Sequence, residues 1–190
     1  MTINVGIDPG HGGKDPGTSH GGLVEKDWVL EVGYLLLDML STNMHCSPTL
    51  LRVEDVDIGL REAADSAMDA DCDLVLSLHV NANDNTLVRG LMTFHLPSDV
   101  EGAEMARGIS DGAPEQLSRR NGVISATQEQ WPRVCNVLEP YLANGIPACL
   151  IEFGFATNEY DRKYLLSQPG KYACALAAYH GVLAFWGTRL

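Results

Sequence analysis

Hydrophobic and polar positions along the chain alternate between two periods. INVGID (3–8) is a short apolar run that stops at turn chemistry and predicts a strand. Residues 24–42 carry Trp28, Val32, Leu35, Leu36 and Met39 at helical spacing, with acidic residues near the start, and predict a helix. The same reading predicts a strand at TLLRV (49–53), a helix over 58–70, and strands at DLVLSLHV (73–80) and LMTFHL (91–96). A helix follows over 99–117, weakened by Gly102, Gly108 and Gly112. A short helix at 134–143, a strand at ACLIEFGF (148–155) and an apolar helix over 169–186 complete the pattern.

Strands that are apolar on both faces and alternate with helices indicate an α/β fold, a mostly parallel twisted sheet with helices on both faces. A length of 190 residues fits one domain spanning 1–190, long enough to bury a substantial core. No internal repeat or low-complexity segment interrupts it. The stretch 118–147 mixes loop signals with its one short helix. Long irregular segments in compact domains are often functional, so it is read as lining the site.

Composition narrows the function. Hydrophobic residues make up 45% and charged residues 20%, ordinary for a soluble globular protein. The formal net charge of −12, with no basic patch, argues against a nucleic-acid binder and against adhesion to anionic membranes or walls by charge alone. Five dispersed cysteines (Cys46, Cys72, Cys135, Cys149, Cys174) show no CxxC spacing, so they are expected as reduced thiols, mostly small core residues. MTINVGIDPG has no basic segment followed by a long apolar one, so no signal peptide is expected and synthesis is placed in the cytoplasm. The apolar stretch 173–187 is too short for a membrane span.

In open α/β sheets ligands gather beyond the carboxyl ends of the strands. The polar residues there are His11 in the glycine-rich loop of VGIDPGHGGKDPG (5–17), His79 and Asn81 after DLVLSLHV, and Glu152 and Asn158 in and after ACLIEFGF. Glu25 stands at the start of the first helix. Two imidazoles and a carboxylate are a ligand set for catalytic zinc that leaves a position for water. His11, Glu25 and His79 are the candidate ligands, and Glu152, unbound, is the candidate base. Each has a plainer reading: His11 as a solvated turn residue, Glu25 as a partner of the helix dipole, His79 as a core histidine. Glu152, between Ile151 and Phe153, is the best single clue, because an unpaired buried charge is costly. His20, His45, His95 and His180 are assigned to surface or core, and without GK[ST] or GxGxxG the glycine loop does not read as a phosphate cradle.

IDPGHGGKDPG (7–17), GLVEKD (22–27), LREAADSAMDADCDLVLSLHVNA (60–82) and PACLIEFGFATNEYD (147–161) come in an order that resembles the zinc-dependent N-acetylmuramoyl-L-alanine amidases of type 3. The resemblance covers nearly the whole chain. It implies a central sheet of about six strands, Zn2+ bound by His11, Glu25 and His79, Glu152 as catalytic glutamate, and cleavage of the amide between muramic acid and L-alanine of peptidoglycan. It fits poorly over 118–147, where substrate contacts are expected. A monomer acting on the cell wall is expected, either as a phage-type endolysin let out through a membrane lesion or as the catalytic domain of a larger enzyme. The rival readings are a zinc peptidase cutting within the stem peptide and a non-catalytic wall-binding or regulatory module.

Overall fold

The computed structural model describes residues 2–117 and 122–187; the parts of the 118–147 segment and of the FWGTRL end at 118–121 and 188–190 lie outside the described residues. In chain order the elements are β1 (Ile3–Pro9), a short antiparallel pair β2 (Ser19–His20) and β3 (Leu23–Val24), α1 (Glu25–Ser41), β4 (Cys46–Leu50), α2 (Leu60–Asp69), β5 (Leu74–Asn81), β6 (Met92–His95), α3 (Val100–Asp111), β7 (Gly122–Ser125), α4 (Pro132–Ala143), β8 (Ala148–Phe155), α5 (Glu159–Leu166) and α6 (Gln168–Gly187).

Six strands form one sheet in the order β4-β1-β5-β8-β6-β7. Every neighbouring pair is parallel except β6 with β8. The alternation along β5 explains its place in the middle. Leu74, Leu76, Leu78 and Val80 enter one core with Ile151 and Phe153 of β8, beneath α1, α3 and α6. Val75, with Ala148 and Leu150 of β8, enters a second core beneath α2 and α4. Both faces are covered, as a parallel sheet requires. Trp28 of α1 closes the first core, its Nε1–H donating to Leu165 O at 2.7 Å while its ring meets Phe153 edge-on at 5.5 Å.

Several elements differ from the sequence expectation, which has no counterpart of the short β2–β3 pair. The strand expected at 49–53 is β4 at Cys46–Leu50, paired in register with Ile3–Ile7. Pro48 within it fits because β4 is an edge strand, and the chain leaves the sheet before Arg52. The helix expected over 99–117 ends at Asp111 with Gly112 as its C-cap, and Pro114 follows. β7 lies in the stretch that mixes loop signals. α5 is eight residues long and mostly charged or polar, so it offers no apolar stripe; Asn158 starts it by accepting from Tyr160 N and Asp161 N.

Phe153 is fully buried where the sheet meets α1. Phe153→Ala is expected to destabilise the fold by about 3–5 kcal/mol, read from the urea unfolding midpoint; a loss below about 1 kcal/mol would contradict this packing.

Candidate metal centre

β1, β5 and β8 run parallel and end at one rim. His11 stands two residues beyond β1, while His79 of β5 and Glu152 of β8 are directly paired in register. Side chains alternate across a strand, so Ile151 and Phe153 point into the first core and Glu152 points, like His79, to the face shared with α4. The carboxylate that looked stranded between two apolar neighbours is therefore on the site's side of the sheet. The β2–β3 pair brings the chain back so that α1 starts over the same rim. There Glu25, its first residue, is 3% exposed. Its Oε2 accepts from Thr18 N at 2.7 Å and its Oε1 from Val80 N at 2.9 Å.

The glycine loop makes room for this arrangement. A methyl group at Gly10 would overlap the His79 ring, and one at Gly17 (φ +63°) would lie 2.7 Å from His11 Cδ2 and against the Glu25 carboxylate. His11 itself sits in the left-handed region at φ 62°, a strained choice for a side-chain-bearing residue that its surroundings must hold in place.

Glu25 Oε1 lies 3.2 Å from His11 Nε2 and 3.1 Å from His79 Nδ1. The two imidazoles stand edge to face at 5.1 Å. Among the described residues these three form the one group of His, Cys, Asp or Glu whose donor atoms could hold a metal ion, all within 4.8 Å of one another. His11 Nδ1 pairs with Asp15 Oδ2 at 2.8 Å, which turns Nε2 toward the centre. His79 Nε2 and Glu152 Oε2 are buried with no hydrogen-bond partner. A site with unsatisfied donors, two imidazoles and a carboxylate fits a borderline cation such as zinc.

The electrostatics agree with a site that wants positive charge. Burial alone would lower the His11 pKa, but Glu25 and Asp15 outweigh it and hold it at about 9. Burial would raise Glu25, yet hydrogen bonds from His11 and His79 bring it down to about 2. Glu152, buried and near Glu25, is pushed up to about 8, the attraction of the histidines offsetting only part of this.

A cleft of about 600 Å³ opens beside the group, lined by His11, Glu25, His79, Asn81 and Glu152 and walled by Arg133, Val134 and Val137 of α4. So part of the 118–147 stretch does border the site. Asn158 does not: it caps α5 and donates to Thr86 O. His20, His45 and His180 are exposed, and His95 Nδ1 bonds Leu96 O. All five cysteines are free, and four are buried. Asp15 and Thr18, which orient the group, were not singled out in the sequence. Asp15 sits in the same loop as His11, and its acidic side chain four residues on was the available signal.

The family model described as N-acetylmuramoyl-L-alanine amidase matches residues 5–184. The N-acetylmuramoyl-L-alanine amidase LytC of Bacillus subtilis is 28% identical over 183 residues, covering 95% of this chain and 35% of that protein. The germination-specific N-acetylmuramoyl-L-alanine amidase of the same organism is 29% identical over 201 residues, covering 96% of this chain and 79% of its own length. This chain thus spans about a third of LytC. The crystal structure of N-acetylmuramoyl-L-alanine amidase from Clostridium difficile 630 superposes with a TM-score of 0.87 at 26% identity, covering 100% of this chain and 99% of that one.

The pKa shifts at the centre tie the stability of the fold to pH. His11 is raised above 6.5 and Glu152 above 4.5, so the stability each contributes is complete below those values and lost as pH climbs through about 9 and about 8. Glu25 is depressed, so its contribution holds above 4.5 and is lost as pH falls through about 2. Chelator-treated protein is therefore expected to have its highest melting temperature near pH 4.5, where the Glu25 and Glu152 contributions are both close to complete, and a falling one toward pH 9. A melting temperature that climbs steadily from pH 6 to 9 without metal would contradict this electrostatic picture.

Proposed function

The chain belongs to the N-acetylmuramoyl-L-alanine amidase family, and from that premise we propose that it hydrolyses the amide between N-acetylmuramic acid and the L-alanine of the peptidoglycan stem peptide, with His11, Glu25 and His79 holding one zinc ion and Glu152 as general base. The observation that carries this reading is the meeting of three donor atoms within 4.8 Å of one another beside a carboxylate oxygen with no partner. When bound, the ion supplies a Lewis acid and lowers the pKa of water toward about 7. Everything else falls to the chain's own side chains.

Glu152 Oε2 takes a proton from the attacking water and returns it to the nitrogen as the C–N bond breaks. The products are a free carboxyl on the muramic acid and a peptide that begins at L-alanine. Burial suits Glu152 to this exchange, because it lifts the carboxyl toward the pH at which it must both accept and donate. Asp15 keeps His11 Nε2 facing the centre, and the amides of Thr18 and Val80 fix both oxygens of Glu25. The cleft leaves one side open for a sugar–peptide strand. Because all four residues come from one chain, a single copy suffices for catalysis, and residues 1–190 act as a zinc amidase catalytic domain at the cell wall. Among the described residues no helix is long and apolar enough to cross a membrane.

Mass spectrometry of digested peptidoglycan is expected to show new L-alanine amino termini with the glycan intact, and a chelator is expected to abolish them. Glu152→Gln is expected to keep its zinc and lose about 10²- to 10⁴-fold in turnover. Cleavage within the stem peptide, or near wild-type turnover of the variant, would overturn the assignment.

A further inference from the structure

We infer that Arg52 is a positioning residue for the metal centre, clamping together the two segments that deliver His11 and Glu25. Arg52 follows β4 and is 2% exposed. Its guanidinium is devoted to main-chain carbonyls. Nε donates to Pro9 O at 3.0 Å, Nη2 to Gly10 O at 3.2 Å and to Lys26 O at 3.0 Å, and Nη1 to Glu54 O at 2.9 Å. Pro9 and Gly10 run directly into His11, and Lys26 directly follows Glu25. One planar group thus joins the end of β1 to the start of α1 and anchors both beside β4.

The chemistry of the side chain matters. Arginine offers five N–H donors in a rigid fork, whereas the lysine ammonium presents three from a single atom and cannot reach three segments at once. The loop also wraps closely round the stem: a methyl group at Gly12 would lie 3.0 Å from Arg52 Cδ. His11 needs such support, because its left-handed backbone at φ 62° persists only where its surroundings hold it. Burying a guanidinium is a poor way to stabilise a fold for its own sake, since an apolar side chain of similar volume often serves as well or better. Fixing two ligand-bearing segments at once accounts for its presence.

This inference rests on His11, Glu25 and His79 being the ligands, so the experiment separates the two claims. Zinc affinity is measured by competition with a chromophoric chelator, and the visible spectrum of Co2+-loaded protein is recorded, for wild type, Arg52→Lys, Arg52→Gln and Asp99→Asn. Asp99 is a matched control: it is buried and accepts from Gly102 N and Ala148 N at the far, amino end of β8. Both Arg52 variants are expected to bind zinc about 10- to 100-fold more weakly, with shifted Co2+ bands. Asp99→Asn is expected to melt earlier and keep its zinc affinity. Wild-type affinity and an unchanged spectrum in Arg52→Lys would overturn the clamp, as would an equal loss of zinc in Asp99→Asn. A wild type that binds no zinc would overturn the metal centre instead. In the wild-type protein, whatever the variants' folding, the Arg52 Nε–H resonance is expected to exchange slowly and to shift on adding zinc; a fast-exchanging or unmoved resonance would count against the clamp.

Discussion

One carboxylate oxygen, Glu25 Oε1, is approached by His11 Nε2, by His79 Nδ1 and by the amide of Val80. A charge so deeply buried has to be matched by positive charge close by. In the metal-free protein that match is protons on the imidazoles, which is why His11 is held near 9 while Glu25 is held near 2. A divalent cation would supply the same charge without protons, and it would leave the two imidazoles neutral as ligands must be. On the proposed reading, protons and a metal ion compete there for one set of donors.

The fold exists in the form needed to make that meeting happen. Parallel pairing of β1, β5 and β8 puts three chain segments at one rim, and the helices cover both faces of the sheet. The direct register of His79 with Glu152 sets the proposed base beside a proposed ligand. α1 contributes its first residue rather than its dipole alone, because the β2–β3 turn folds it back over the sheet. Small residues make the close approach possible, since Gly10 and Gly17 leave the space that the His79, His11 and Glu25 side chains fill.

Much of this was legible in the sequence, for physical reasons that differ residue by residue. β8 was found at its true limits, and Glu152 stood out in it, because a carboxylate in an apolar strand is rare and costly. His11, His79 and Glu25 could be gathered because strand ends in such sheets converge. Local signals failed where the deciding contacts are distant. β4 was placed three residues late because its pairing with β1, and the tolerance of Pro48 at the edge, come from the sheet and not from the run TLLRV. α5 depends on the Asn158 cap more than on any stripe. Arg52 carried no signal at all, since its partners are carbonyls of residues up to 43 positions away.

The central claim is that three side chains share one ion. Crystals of the zinc-loaded protein, mapped by anomalous scattering at the zinc edge, test it without recourse to activity. A single peak about 2.0–2.2 Å from one atom each of His11, Glu25 and His79, with Glu152 nearby but outside bonding distance, is the result this account predicts. A peak elsewhere, or a peak bonded to Glu152 and missing either histidine, would contradict it.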